Sequence, residues 1–281
     1  MPHAIYQLFF WVHRLSIDIA LGASAVLFGL SQALLLPIPW YFYVLLLNGT
    51  FIVYWIDHIQ DSAKSLLVQP GARHAIFKEQ RSLFVFLILM LFVVNAALSY
   101  LYLEITVILW AMVLLLSLLA YLRFHRSLKR IFILEKEILI ALLYTISTGF
   151  TPLMYFKSAY FLDWVVFSLL LLGVFLCTLQ NLFSIARIEQ ELDSLSHTKN
   201  ICHRFGSSRL KNLQDLMLLL QLVCLALLYV LFSHPHLMQF CLILLLVSVI
   251  QYALPFWFKQ SQTMAYRWIG DGAYLLLFLC A

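Results

Sequence analysis

Residues 161–186, FLDWVVFSLLLLGVFLCTLQNLFSIA, carry one charged side chain, Asp163, near their start. A stretch this long and this apolar covers the roughly 30 Å of a bilayer's hydrocarbon core when coiled as an α-helix. It is followed at once by Arg187-Ile-Glu189-Gln-Glu191-Leu-Asp193, which no hydrocarbon interior would accept. The pair reads as a membrane span and the polar segment at which it leaves the membrane.

Working outward, the same pattern recurs along the chain, at approximately 15–36, 39–56, 82–103, 105–122, 135–156, 161–186, 213–232, 236–258 and 264–281. Of the 281 residues, 64% are hydrophobic and 11% charged, and the mean hydropathy is +0.94. A water-soluble domain of this size could not hide so much apolar surface, so composition alone excludes that class. The expected architecture is an all-α, polytopic membrane protein with nine transmembrane helices. No Pro-, Gly- or Ser-rich linker interrupts the chain, and residues 1–281 read as a single transmembrane domain.

The basic residues orient it. With the spans drawn from hydropathy, 17 of the 18 lysines and arginines fall on one side, and Lys157 alone falls on the other. The positive-inside rule makes the rich side cytoplasmic, with the N-terminus inside and the C-terminus outside. The net charge of +5 suits anionic headgroups and does not call for nucleic acid. The first residues lack the basic, apolar and small-residue order of a signal peptide. Five cysteines without CxxC spacing predict neither a disulfide nor a zinc site.

Two long loops, 57–81 and 187–212, both lie on the basic side, and both are acidic. Asp57 and Asp61 are spaced i,i+4, as are Glu189 and Asp193, so on a helix each pair would project from one face. Such a pair repels itself unless a cation lies between its members, and carboxylate oxygens suit Mg²⁺. The two stretches, with Glu191, hold five of the 13 acids in the chain. A shared divalent site able to grip a diphosphate is the simplest common cause, and two solvated helix ends are the bland alternative.

Among the flanking basic residues, Lys64, Arg73 and Lys136 are the candidates to reach a diphosphate; for most of the others topogenic and lipid-binding roles suffice. Asn48 lies nine residues before Asp57, and Asn181 eight before Glu189. Both intervals are near whole numbers of helical turns, so each Asn should face roughly where its acids face. Interhelical hydrogen bonding by either Asn is at least an equal reading. Asp271, one turn beyond Arg267, is placed to pair with it.

At these residues the chain resembles the UbiA family of intramembrane prenyltransferases, whose nine helices carry Asp-rich motifs in the loops after helices 2 and 6. The family's first motif runs Asn-Asp-x-x-Asp-x-x-x-Asp. Here Val53, Tyr54, Asp57 and Asp61 occupy its defining positions, keeping the last two acids and losing the Asn and first Asp. The second runs Asp-x-x-x-Asp, and Glu189-Gln-Glu-Leu-Asp193 keeps acids at both ends. Tyr121 through Lys129-Arg130, Lys136 through Tyr144 with Pro152, and Asn181-Leu-Phe-Ser with Arg204-Phe-Gly206 are softer similarities, the last to divergent bacterial members.

The resemblance implies a helical bundle around a central cavity in the bacterial inner membrane. It implies Mg²⁺ held by Asp57, Asp61, Glu189 and Asp193, a polyprenyl diphosphate donor, and a lipophilic, commonly aromatic, acceptor to which the prenyl group is transferred. Two alternatives remain open. One is a terpene cyclase of the same family, which ionises the donor and captures the cation internally. The other is a non-catalytic lipid-binding or transport protein.

Overall fold

The computed structural model describes residues 7, 11–64, 73–131, 136–158, 160–190, 201–232, 234–258 and 265–280. Helix is the regular structure throughout, and no strand occurs among the described residues. In chain order the helices are α1 (Ile17–Ala33), α2 (Trp40–Lys64), α3 (Arg73–Glu79), α4 (Arg81–Tyr102), α5 (Ile105–Ile131) and α6 (Lys136–Tyr155). They continue with α7 (Phe161–Ile188), α8 (Ile201–Phe205), α9 (Ser207–Leu231), α10 (Pro235–Trp257), α11 (Ala265–Gly272) and a 3-10 helix over Ala273–Cys280.

Six helical segments among the described residues are long and apolar enough to cross a membrane: Trp40–Gln60, Arg81–Tyr102, Glu137–Tyr155, Phe161–Ile188, Ser207–Leu231 and Pro235–Trp257. Ile17–Ala33 and Ile105–Ser117 are apolar but shorter. The segment read from sequence as one span over 264–281 is divided between α11 and the 3-10 helix. The protein is therefore an all-helical membrane protein. Its outward faces fit that solvent: Leu89, Val93, Leu109, Trp110, Leu219 and Val230 are large, apolar and exposed.

By backbone contacts the chain divides into two compact units, the first comprising Met1–Ser24 with Pro39–Leu122 and the second Ala25–Ile38 with Arg123–Ala281. In the first unit α2 packs on α3 and α4. An aromatic cluster joins them: Phe77 and Phe84 have ring centroids 4.2 Å apart, Trp55 meets Phe84 edge-on at 5.3 Å, and His58 lies 4.9 Å from Phe77. The Trp55 indole N–H donates to the Leu15 carbonyl at 3.0 Å, tying α2 to the chain before α1. The buried His13 and Asp18 side chains pair at 2.7 Å in the same region.

In the second unit α7 is central, packed by α6, α9 and α10. Its buried face includes Val166, Leu170, Val174 and Cys177, which share a core with Phe240, Leu244 and Val247 of α10 and with Tyr274 and Leu277. Gly29 permits one close approach: a Cβ there would meet the Phe240 ring at 2.7 Å. Pro152 and Pro255 lie in the last turns of α6 and α10, where each removes one N–H donor shortly before the helix ends.

Candidate functional site

The first acidic pair lies on an unbroken helix. α2 runs through to Lys64, so Asp57 and Asp61 are one turn apart on the same helix, Asp57 in the last turn of its apolar segment and Asp61 just past it. Asp57 is half-buried. Arg73 opens α3, Lys64 closes α2 and Lys136 opens α6. Their side chains, like that of Asp61, lie outside the described residues, as do Glu191 and Asp193 entirely.

The second acidic pair is described only at its first member. The helix ends at Ile188, and Glu189 closes it with φ −88° and ψ 0°, its N–H still bonded to the Ile185 carbonyl at 2.9 Å. Glu189 thus stands where α7 stops. A carboxylate at a helix C-terminus meets the negative end of the macrodipole, and three donors compensate it. Arg267 Nε donates to Glu189 Oε1 at 2.6 Å, Arg267 Nη2 pairs with the same oxygen, and the Tyr266 hydroxyl donates to it at 2.5 Å. Tyr266 is almost wholly buried, at 1% exposure, which fixes this geometry.

The partner expected for Arg267 was Asp271. That expectation is corrected: Arg267 turns to Glu189, and Asp271 accepts from Asn181 Nδ2 at 2.7 Å. The close approach needs Gly270, because a Cβ there would collide with Asn181 Oδ1. Gln251 Nε2 holds the Gly270 carbonyl at 3.1 Å from the other side. Asn181 therefore serves as a link from α7 to α11. Asn48 behaves alike in the first unit, donating from Nδ2 to Asn95 Oδ1 of α4 at 2.9 Å. Both buried asparagines make interhelical hydrogen bonds, which is the use a membrane interior most often finds for them.

Arg187 is similarly engaged, with Nη1 donating to Gln214 Oε1 at 2.6 Å and Nε to Ser207 Oγ at 3.4 Å. Gln214 in turn donates to Ser184 Oγ at 2.7 Å, so α7 and α9 share a connected polar seam. Nearby, the Cys202 thiol meets Gln190 Oε1 at 3.1 Å. Burial pushes that thiol above its ordinary range, and the Arg187 charge pulls partly the other way. The main-chain N–H of Ile201 donates to Glu137 Oε1 at 3.2 Å, joining the starts of α6 and α8.

The donor set offered to a metal is oxygen-rich, which suits Mg²⁺. Glu189 fits through one atom, because Oε1 already takes three donors while Oε2 takes none among the described residues. Sequence reasoning missed Tyr266 and Arg267 as partners of Glu189, because local spacing pairs Arg267 with Asp271. It also missed the glutamines at 214, 221 and 251. Their signal was available, since carboxamides inside apolar spans must find partners and positions 214 and 221 are seven residues apart on one helix face. Comparison with protein-family models, with curated proteins and with solved structures finds no match.

Proposed function

We propose that this membrane protein is a Mg²⁺-dependent prenyltransferase that moves a polyprenyl group from its diphosphate to a lipophilic acceptor, as the UbiA resemblance implies. The observation that carries the reading is the unbroken α2, which keeps Asp57 and Asp61 one turn apart where an apolar span becomes polar. The proposed ligands are Asp57, Asp61, Glu189 and Asp193. Bound Mg²⁺ supplies positive charge for the diphosphate and for the negative charge that grows on it as it leaves.

The chain's own groups do the rest. Lys64, Arg73 and Lys136 add charge-assisted hydrogen bonds to the diphosphate oxygens. The allylic C–O bond breaks with its electron pair going to the leaving oxygen, and a carbon of the acceptor closes on the cation and then loses a proton. Apolar surroundings keep water from intercepting the cation. Asn48 and Asn181 act at one remove, holding α2 to α4 and α7 to α11. The protein sits in the bacterial inner membrane with its basic loops and N-terminus in the cytoplasm.

One observation favours a second reading, a non-catalytic lipid-binding protein. Glu189 is held by Arg267 and Tyr266, and an arginine that close weakens a carboxylate's attraction for Mg²⁺. Mass spectrometry of products separates the two: purified protein is incubated with Mg²⁺, prenyl diphosphates of several lengths and a panel of aromatic acceptors. A prenylated acceptor supports transfer, and absence of any diphosphate-dependent product with every donor supports the lipid-binding reading.

A further inference from the structure

A cavity of about 30 Å³ lies where α7, α9 and α10 meet, lined by Gly173, Gln221, Cys224, Cys241 and several leucines. Such a space holds one or two water-sized groups. Its walls are apolar or weakly polar apart from one strong group, the Gln221 carboxamide. Gln221 is 6% exposed, and its Nε2 donates to the Gly173 carbonyl at 3.4 Å. A Cβ at Gly173 would press on Leu244 Cδ2 at 3.2 Å, so the glycine eases the approach of α10 beside the cavity. Oε1 is buried and has no hydrogen-bond partner among the described residues.

Gly173 and Gln221 stand near mid-length of α7 and α9, both of which are long and apolar enough to cross the membrane. An unmet carbonyl oxygen at that depth costs several kcal/mol in a medium with few donors. The rim is also incomplete. Leu169, Leu225 and Leu245 line the cavity and are only half-buried, and their neighbours Leu222 and Leu242 are exposed on the lipid-facing side.

We infer that this cavity is a binding site for the hydroxyl of an apolar alcohol or phenol that enters from the hydrocarbon, with the O–H donating to Gln221 Oε1 and the apolar body resting among the rim leucines. The match is one of counts: one acceptor without a donor, room for one small polar group, and an apolar mouth. Cys224 and Cys241 add only weak donors and acceptors. This site stands apart from the acidic residues proposed for prenyl transfer and does not depend on that reading.

The test compares 4-butylphenol with butylbenzene, which lacks only the hydroxyl, on the full chain in detergent micelles. Binding is read by thermal shift and by protection of Cys224 and Cys241 from maleimide, mapped by mass spectrometry. The parent should bind the phenol about tenfold more tightly, the value of one neutral hydrogen bond to an otherwise unmet group. Gln221→Leu removes a polar group from an apolar wall, so it should fold at least as well and bind the two probes equally. Cys241→Phe, which fills the space, should weaken both. The inference is overturned if the parent binds the two probes equally, which would mean that water alone meets Gln221. It is equally overturned if the preference survives Gln221→Leu, or if Cys241→Phe leaves both affinities and the protection pattern unchanged.

Discussion

Arg267 Nε lies 2.6 Å from Glu189 Oε1, joining α11 to the end of α7 across 78 residues of sequence. With side-chain exposures of 25% and 14%, the pair is largely withdrawn from solvent. Removing one member should leave the other charged, buried and unpaired. Arg267→Gln alone and Glu189→Gln alone should each cost about 2 kcal/mol, whereas the double variant should cost clearly less than their sum. Denaturation of the four proteins in one detergent gives the coupling. Additive losses would mean that the two side chains do not interact in solution.

The Asn48–Asn95 bond makes a parallel prediction in the first unit. Asn48→Leu strands the Asn95 amide inside the membrane and should lower stability by about 1 kcal/mol. Replacing both by Leu strands nothing, so the double variant should lie close to the parent. Unfolding midpoints check this, and a double variant no better than Asn48→Leu would point to a separate role for Asn95.

Cys202 supplies a pH dependence. Its thiol is raised by burial in the folded protein, so the folded state holds its proton to higher pH than the unfolded state does. The resulting stability is complete below the unfolded thiol's pKa and is lost as pH rises through the folded one. Parent stability should therefore fall more steeply than that of Cys202→Ala as pH climbs above the ordinary thiol range, about 8.5. Equal slopes in alkaline denaturation profiles would contradict it.

Orientation is tested by labelling. Single cysteines introduced as Ser65→Cys and Ser196→Cys, in the two acidic loops, should react with a membrane-impermeant maleimide only after the cytoplasmic side is opened. Reaction in intact cells at either position would reverse the assignment and take the proposed metal site off the cytoplasmic face.

Helix content and membrane class were legible because both follow from local chemistry. The run 161–186 becomes part of α7, and residues 82–103 match α4 almost end to end, since an apolar stretch of that length has only one way to satisfy its backbone in lipid. The i,i+4 relation of Asp57 and Asp61 was legible for the same reason. The environment of Glu189 was not, because its partners Tyr266 and Arg267 lie 77 and 78 residues away, and no local pattern announces a partner so distant in sequence. Asp271 illustrates the same limit. Local spacing favoured Arg267 as its partner, and tertiary packing gave it Asn181 instead, through the gap left by Gly270. For the apolar segment 264–281 the form was not legible, for nothing in Ala273–Cys280 marks the change to a 3-10 helix.

The most direct test of the central claim is diphosphate-dependent product formation by the parent and by Asp57→Asn and Asp61→Asn, followed by mass spectrometry with Mg²⁺ and with chelator. Asn keeps the side-chain size and removes the charge that would hold the metal. The account predicts a prenylated product from the parent that vanishes with chelator, and turnover lower by at least about a hundredfold in each variant, the scale of losing one strong electrostatic stabiliser. Melting temperatures should barely move. Full activity in both variants, or no diphosphate-dependent product from the parent with any donor, would contradict it.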